Sequence, residues 1–494
     1  MPKIKKRTAD SFYGDADKFI IFNEDPDLEP IKVMLPEPPE LHLIDGFGIP
    51  SYAQKFKRVE MPQKLIELQQ NCKSVDEVWD VLDTQRIRYK DEIMWIKKQW
   101  YHRLYGYWFF NCGRPVYITG WHYFYLNFFK IDVGYPKYRD RDRKFFIFAD
   151  FCYRDTMSFK ESRYDDKGKR IPNRYGDEMI DLGRRVCAGF VYAKHRREGA
   201  TYKAECINLE IMTRTMNANS GIQSKSDDDA EEVYRTKLLA PYLNLPFFFR
   251  PMQKGKIDTI GGLYFDASIE RVAGGALNIK QGLASSMTYR SSDEQAYDGF
   301  KLYFYHEDEI GKSFKIDVHK RHNIVKECLA EKNGYEMIGF GVATSTVGEM
   351  SSGGCQAFFN LCMQSNYYDR TEVGITPSYY YTLFIPADEG FLVDDYGNSK
   401  KEESYRFITS NCEKLLNDGD SEGWAEEKRK YPLKFSDCFI QSGGGIGFDA
   451  YIIETRISEL RFTKDKARAG YFVRDDDKNL SSRVRFVDDP NGRF

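Results

Sequence analysis

Short apolar runs alternate with amphipathic stretches between residues 186 and 386, and this alternation is the strongest pattern in the chain. The runs are typical of buried strands and the amphipathic stretches of surface helices. The pattern predicts strands at 186–193, 220–224, 262–266, 285–290, 302–306, 337–344 and 378–386, and helices at 201–215, 228–243, 314–331 and 354–365. Because strands that alternate with helices pair in parallel, the sequence predicts an α/β fold whose mostly parallel sheet is flanked by helices.

The residues before this core have other patterns. Residues 1 to about 60 are rich in proline and charge, which predicts an extended arm, and residues 61–105 show helical periodicity. The aromatic segment that follows at 106–131 is interrupted by an arginine, a histidine and an asparagine. It is therefore interpreted as an aromatic core rather than as a membrane span. A charged turn at 138–144 and a helix at 145–159 complete the predictions for this region.

Three parts of the chain follow from these patterns. We expect an N-terminal arm with a helical and aromatic region at 1–150, the α/β core at 151–390 and a small C-terminal subdomain at 391–494. Within the last part the pattern predicts helices near 401–417 and 448–461, joined by turn-rich connections.

Composition narrows the class of protein. The 494 residues carry 73 basic and 75 acidic side chains, so the whole chain has no basic excess that would indicate a general affinity for nucleic acid. Neither the ten cysteines nor the seven histidines show zinc-ligand spacing. Scattered cysteines are typical of a reducing cytoplasm. The basic N-terminus precedes no apolar run, so no signal peptide is predicted.

A basic loop between a strand and a helix is the first candidate for chemistry. Residues 186–203 read VCAGFVYAKHRREGATYK. The usual phosphate loop, G-x-x-x-x-G-K-[ST], has its lysine just before the hydroxyl, whereas this chain has alanine there. Positive charge comes from earlier in the loop, a glycine allows close approach of the backbone, and a threonine is suited to Mg²⁺. The predicted ATP-binding residues are Lys194, Arg196, Arg197, Glu198, Gly199, Ala200 and Thr201. The alternative is a basic surface loop.

Acidic residues follow a second apolar run. Glu307, Asp308 and Glu309 come directly after the strand predicted at 302–306. Crowded carboxylates at a strand end are costly unless a cation or solvent offsets them. Asp308 is predicted to hold Mg²⁺ through water, together with Thr201, and Glu309 to be the catalytic residue that deprotonates the attacking water. The alternative is a solvated acidic turn.

A third run, MIGFGVATSTVG at 337–348, ends in the hydroxyls of Thr344, Ser345 and Thr346. Hydroxyls beside the acidic strand could sense the terminal phosphate and pass its loss to a moving subdomain, so these residues are predicted to couple hydrolysis to motion. An ordinary strand followed by a helix cap is the alternative.

The three motifs, in this order, resemble the large terminase subunit of tailed bacteriophages, the ATP-driven DNA packaging motor. Some of its members carry a lysine-first phosphate loop, K-x-x-R-x-G-x-[ST], which Lys194, Arg197, Gly199 and Thr201 match. DEIGK at 308–312 and ATST at 343–346 are similar to the acidic and coupling motifs of that family. ITGWHYFYLNF and RKYPLKFSDCF, at 118–128 and 429–439, resemble further terminase segments, although Asp437 replaces the usual glutamate. The resemblance covers roughly residues 100–494.

This resemblance implies a P-loop NTPase core with Walker A and Walker B motifs, ATP and Mg²⁺ as cofactors, and DNA translocation. The implied function is to package double-stranded viral DNA into procapsids. The implied partners are that DNA, the portal protein, the small terminase subunit and further copies of the chain in a ring. The implied location is the host cytoplasm, at the portal vertex, rather than a membrane or the secreted fraction. Another P-loop translocase such as a helicase, and a structural protein with a decayed site, are the alternatives.

Nuclease activity is not expected from the chain. Large terminases usually continue into a two-metal nuclease, which needs carboxylates at the ends of neighbouring strands. Asp394 and Asp395, and the run from Asp475 to Asp477, lie in polar turn sequences instead. The sequence is therefore interpreted as the motor half of a terminase, from a truncated or split reading frame or from a deliberately shortened chain.

Overall fold

A seven-stranded sheet lies at the centre of the computed structural model. The structure describes residues 17–159, 163–164, 170–171, 179–251, 261–265, 269–271, 277–279, 282–331, 334–348, 353–371, 373–441, 452, 456, 470–474 and 484–488. Apart from residues 452 and 456, the helix predicted near 448–461 lies outside the described residues, as does the run from Asp475 to Asp477.

The bounds of the elements are as follows. The strands are β1 (Phe19–Phe22), β2 (Ile31–Met34), β3 (Tyr107–Asn111), β4 (Arg114–Ile118), β5 (Met157–Phe159), β6 (Arg163–Tyr164), β7 (Arg170–Ile171), β8 (Met179–Asp181), β9 (Gly189–Ala193), β10 (Asn219–Gln223), β11 (Gly262–Tyr264), β12 (Ile269–Arg271), β13 (Leu277–Ile279), β14 (Ser286–Tyr289), β15 (Phe304–Asp308), β16 (Phe340–Ser345), β17 (Tyr380–Phe384), β18 (Gly470–Arg474) and β19 (Val484–Asp488). The helices are α1 (Gln63–Asn71), α2 (Val75–Thr84), α3 (Lys90–Tyr105), α4 (Gly120–Asn127), α5 (Asp140–Arg154), α6 (Ala200–Met212), α7 (Asp227–Glu232), α8 (Ala240–Leu243), α9 (Val318–Cys328), α10 (Gly353–Gln364), α11 (Lys401–Asn417) and α12 (Ser421–Lys430). A π-helical segment, Val233–Leu239, joins α7 to α8.

The central sheet has the strand order β11-β14-β10-β15-β16-β9-β17, and β11 alone among these strands is antiparallel to its neighbour. The predicted α/β class with a mostly parallel sheet flanked by helices is thereby confirmed. β16 lies between β15 and β9, and in register Asp308 is opposite Thr344 and Ser345 is opposite Ala193. The ends of β15, β16 and β9, the strands that carry the three predicted motifs, therefore meet at one edge of the sheet.

Both faces of the sheet are covered by apolar packing. Along β9, Phe190 and Tyr192 belong to one buried cluster, and Val191 and Ala193 belong to another. Successive side chains of a strand point to opposite faces, so the two clusters lie on opposite sides of the sheet. This double burial explains why β9 reads as a continuous apolar run.

The N-terminal part differs from its prediction. Residues 17–60 do not form a free arm, because β1 and β2 pair as a hairpin whose Phe22 and Ile31 are buried in the main core. The side chain of Asn23 bonds to edge strand β17: its Nδ2 donates to the Thr382 carbonyl at 2.8 Å, and its Oδ1 accepts from the Phe384 amide at 2.9 Å. The proline and charged residues predicted an extended arm, but every second residue of β1 and β2 is apolar and buried, which fixes the hairpin to the core.

The aromatic and charged segments are also ordered. The predicted aromatic core is the β3–β4 hairpin followed by α4, every residue of which is buried. Within the described residues, no helix is long and apolar enough to cross a membrane. The charged turn predicted at 138–144 is wrong, since α5 begins at Asp140. Its Asp140 and Asp142 lie in the first turn, where the helix dipole favours acidic side chains.

Candidate active site

The basic loop forms a tight connection between β9 and α6. Gly199 precedes the helix with φ 77° and ψ 23°, the left-handed conformation that glycine adopts without strain. No atom lies within 4 Å of a Cβ built at Gly199, so the backbone angle, rather than space, favours glycine there. The first amides of α6 have no acceptor within the helix, and a helix N-terminus favours anions. The loop thus has the backbone of a phosphate-binding site.

The basic side chains of the loop point to different environments. Lys194 is buried, with its Nζ 2.7 Å from Oε1 of Glu309. Arg196 and Arg197 are exposed. Burial lowers the pKa of Lys194, but the carboxylates of Glu309 and Asp308 outweigh it and raise the pKa above its ordinary value. Lys194 is therefore a charged group held at the strand ends.

Glu198 differs from the other loop residues, because its carboxylate faces the protein interior. It accepts hydrogen bonds from Tyr192 Oη at 2.6 Å, Lys203 Nζ at 2.7 Å and Arg141 Nη2 at 3.2 Å. Burial raises the pKa of Glu198, but Arg141 and Lys203 hold it well below its usual value. The side chain of Glu198 is therefore not placed to contact a bound phosphate, and its charge is compensated internally.

The acidic strand extends further than predicted. β15 runs to Asp308, so Glu307 and Asp308 lie within the strand rather than after it. Glu307 is fully buried and forms an ion pair with Arg321, while Glu205 bonds to the preceding His306 at 2.6 Å. These partners from α9 and α6 compensate polar residues inside the sheet, which the apolar run alone could not predict.

Asp308 joins the loop to the coupling strand. Its Oδ2 accepts a hydrogen bond from Thr201 Oγ1 at 3.1 Å, and its Oδ1 accepts one from Thr344 Oγ1 at 2.8 Å. Its backbone carbonyl accepts from Ser224 Oγ at 3.2 Å. Thr201 and Asp308, predicted together as Mg²⁺ residues, are thus direct neighbours.

Glu309 occupies the first position after β15 with φ 53° and ψ 39°, an unusual backbone conformation for a residue with a side chain. Its Oε1 is bound by Lys194, and its Oε2 by Lys312 at 2.8 Å and Thr346 Oγ1 at 2.9 Å. Burial raises the pKa of Glu309, but the charges of Lys194 and Lys312 outweigh this effect and lower the pKa from 4.5 to about 2. The carboxylate is ionised and held by three donors.

The three hydroxyls at the end of β16 bond to different parts of the site. Thr344 bonds to Asp308 and Thr346 to Glu309. Ser345 Oγ accepts from the Gly311 amide at 3.1 Å, and the Ser345 carbonyl accepts from the Lys194 amide at 2.9 Å. The end of β16 therefore contacts both the acidic turn and the phosphate loop.

The oxygen atoms at this edge fit a magnesium ion. Mg²⁺ takes oxygen ligands and keeps several waters, so one or two protein oxygens suffice beside phosphate. Thr201 and Asp308 supply such oxygens 3.1 Å apart. In the part of the chain that the structure describes, no group of three or more His, Cys, Asp or Glu residues could hold a metal by itself.

Comparisons with known proteins concern the fold. No family model matches the chain, and no curated protein matches it significantly. Solved structures that match include phage large terminases. The ATPase domain of the large terminase of Thermus phage P74-26 is 14% identical over 51% of this chain and 92% of that domain, with a TM-score of 0.32. The HK97 bacteriophage large terminase is 11% identical over 63% of this chain and 53% of its own, with a TM-score of 0.35. The large terminase of a thermophilic bacteriophage, in complex with ADP, is 11% identical over 45% of each chain, with a TM-score of 0.29. The chain spans about half the length of the last two proteins.

Some residues of the site were missed at the level of sequence. Lys312 binds Glu309. The sequence could have indicated this ion pair, because Lys312 follows Glu309 by three residues in DEIGK, a spacing at which side chains can meet. Arg141 lies 57 residues before Glu198, and Arg321 lies in a different element from Glu307, the carboxylate that it binds. No local pattern connects such partners, because the fold alone brings them together.

Proposed function

We propose that the protein is an ATP-hydrolysing motor of the terminase type, which packages double-stranded viral DNA into procapsids. The observation that carries the proposal is the meeting of Lys194, Thr201, Asp308 and Glu309 at one sheet edge. A phosphate loop, a hydroxyl and carboxylate for the metal, and a further carboxylate for water are the parts that nucleotide hydrolysis needs. The sequence motifs support the assignment to DNA packaging.

In the proposed site, the backbone of residues 197–201 and the side chains of Lys194 and Arg197 bind the phosphates of ATP. Thr201 and Asp308 would hold a Mg²⁺ ion, which would supply positive charge to the phosphate oxygens. Glu309 takes a proton from water as the water oxygen bonds to the γ-phosphorus and the bond to the ADP oxygen breaks. The products are ADP and inorganic phosphate.

The ion pair between Lys194 and Glu309 supports an order of events. With a pKa of about 2, Glu309 is a weak base while Lys194 is bound to it. Phosphate oxygens would compete for the same ammonium group. Withdrawal of Lys194 towards ATP would raise the pKa of Glu309 and strengthen the base, so nucleotide binding itself would activate the site.

The remaining parts of the proposal come from the resemblance of the motifs. We assign the ATPase core to residues 151–390, with the N-terminal region at 1–150 and the C-terminal subdomain at 391–494. The proposed partners are double-stranded DNA, the portal protein, the small terminase subunit and further copies of the chain. The proposed place of action is the portal vertex in the host cytoplasm.

Replacement of Glu309 tests the hydrolytic part. Glu309→Gln should keep ATP binding but lower turnover by roughly 10²- to 10⁴-fold, as expected for loss of a general base. The control is Glu413→Gln, the same change on an exposed residue of α11. Hydrolysis by Glu309→Gln at the wild-type rate would reject the assignment. Procapsid-dependent protection of DNA from added nuclease then tests packaging, and a helicase would instead separate strands.

A further inference from the structure

A cleft of about 380 Å³ lies between the phosphate loop, the end of β16 and helix α12. We call it the α12 cleft. Four cations and two acids are among its lining residues. Those used in the argument are Arg196, Lys312, Thr346, Glu422, Glu426 and Lys430.

The α12 cleft is continuous with the contacts of Glu309. Lys312 and Thr346 both line it, and both bind Oε2 of Glu309, at 2.8 and 2.9 Å. Lys194, on the phosphate loop, binds the other oxygen, Oε1, at 2.7 Å. The two oxygens of this carboxylate therefore contact two groups of residues, one on the nucleotide loop and the other in the cleft wall.

Two of the four cations that line the cleft, Arg196 and Lys430, are accessible to an anion. Arg196 is exposed, and its charge adds to that of Lys430 in lowering the pKa of Glu426. Lys430 pairs with Glu426 at 2.7 Å, with side chains 31% and 56% exposed. An ion pair that is this exposed contributes little free energy, so a divalent anion can displace the carboxylate.

The wall of the cleft does not depend on these side chains. The backbone amide of Arg196 donates to the carbonyl of Lys430 at 3.0 Å, which joins the phosphate loop to the last turn of α12. Substitution of either side chain leaves this main-chain hydrogen bond possible. Changes of side-chain charge therefore test anion binding rather than the presence of the cleft.

We propose that the α12 cleft binds the inorganic phosphate that ATP hydrolysis produces, so that phosphate leaves the site past Lys312 and Thr346. This inference rests on the proposed function. A phosphate dianion offers several acceptor oxygens: Arg196 can bind two of them with its planar guanidinium, and Lys430 acts as a compact charge. Release through the cleft would let phosphate leave while ADP is still bound, and would place the product against α12 of the C-terminal subdomain.

Inhibition by inorganic phosphate tests the proposal. Steady-state ATP hydrolysis is measured with increasing phosphate in the wild type, Arg196→Gln, Lys430→Gln and the double variant. The inhibition constant should rise about fivefold or more in each single variant, and further in the double variant, since each loses a charge-assisted contact. Lys414→Gln, on an exposed position of α11, is the control and should match the wild type. Equal inhibition constants in all proteins would overturn the proposal.

A second measurement separates this inference from the proposed function. Calorimetric titration of the nucleotide-free protein with inorganic phosphate should show binding that weakens in Lys430→Gln and more strongly in Lys430→Glu. Such binding in a protein that does not hydrolyse ATP would reject the motor but retain the anion site. Two results would retain the ATPase but reject the cleft as its phosphate site. In the first, the protein hydrolyses ATP and both Lys430 variants bind phosphate as tightly as the wild type. In the second, the protein hydrolyses ATP but the wild type binds no phosphate.

Discussion

At the scale of single residues, the basic side chains of the phosphate loop are not equivalent. Lys194 is buried beside Glu309, whereas Arg196 lines the α12 cleft and Arg197 is exposed. We expect Lys194→Ala to weaken nucleotide binding most, by about tenfold or more, because a charged contact with the phosphates is lost. Arg197→Ala should have an intermediate effect and Arg196→Ala the smallest. Dissociation constants of a fluorescent ATP analogue measure this order.

The reverse order would be informative. If Arg196→Ala were the most damaging variant and Lys194→Ala bound nucleotide normally, the loop would not be of the lysine-first kind. Circular dichroism of each variant serves as the control for folding.

Glu309 should also make the stability of the fold depend on pH. Burial raises its pKa, but Lys194 and Lys312 lower it to about 2, from an ordinary value of 4.5. A carboxylate with a lowered folded-state pKa stabilises the fold above its unfolded-state pKa, and this contribution disappears as pH falls through the folded-state value. From about pH 4.5 to pH 2 the wild type should therefore lose up to roughly 3 kcal/mol more unfolding free energy than Glu309→Gln.

Urea unfolding at a series of pH values measures this difference. Glu413→Gln, at an exposed position, should follow the wild type. Parallel curves for the wild type and Glu309→Gln would show that the lysines do not hold the carboxylate in solution as they do in the structure.

At the scale of elements, the end of β16 joins the carboxylate proposed to hold the metal to the carboxylate proposed as the base. Thr344 and Thr346 donate to Asp308 and Glu309 respectively. Replacing both threonines with valine should leave ATP affinity within a few-fold. It should lower DNA-stimulated turnover by roughly ten- to hundredfold, because two hydrogen bonds to carboxylates are lost. Thr382→Val removes a buried threonine hydroxyl from β17, away from the site, and is the control.

Packaging assays complete that test. The double variant should package DNA more slowly than the wild type at equal ATP occupancy. Unchanged packaging would contradict a coupling role and favour an ordinary strand end.

The elements also show what the sequence could predict. Strands buried on both faces, such as β9 and β16, were found because apolar packing on two sides requires a continuous apolar run. β15 was placed two residues early, since its second half consists of His306, Glu307 and Asp308. Those residues can lie inside the sheet because distant partners compensate them. Helix α12 was not predicted, and its role in the cleft depends on tertiary contacts that no local pattern contains.

For the candidate site, the residue types were predictable, but their orientation was not. Lys194, Thr201, Asp308 and Glu309 were identified by motif, and the structure brings them together. The inward direction of Glu198 depends on Arg141 and Lys203, which bind different oxygens of its carboxylate inside the protein. Long-range charge compensation of this kind cannot be inferred from spacing along the chain.

At the scale of the whole molecule, the N-terminal region and the core are packed together. The predicted boundary at residue 150 falls inside α5, whose Phe145 and Phe148 contact Phe190 of β9 edge to face. Ion pairs extend this packing: Glu389 binds Lys144 of α5 and Lys401 of α11, both at 2.5 Å. If α11 moves, as proposed for the C-terminal subdomain, these ion pairs connect its motion to α5.

The whole chain is expected to hydrolyse ATP without cutting DNA. Two-metal cleavage needs several carboxylates that converge on ions about 4 Å apart. Asp394 instead caps its own turn, accepting from the amides of Tyr396 and Asn398. Supercoiled plasmid incubated with the protein and Mg²⁺ or Mn²⁺ should stay intact. Nicking that copurifies with the protein and disappears in Asp394→Asn or Asp475→Asn would contradict this prediction.

The amide of Asn23 has a consequence for behaviour in concentrated solution. An edge strand offers unpaired N–H and C=O groups to any extended chain, which is a common start of aggregation. β17 is such an edge, but Asn23 donates to its Thr382 carbonyl and accepts from its Phe384 amide. One side chain thus occupies two pairing positions, as a neighbouring strand would. The N-terminal hairpin therefore hinders β17 from pairing with a strand of another copy, even at high protein concentration.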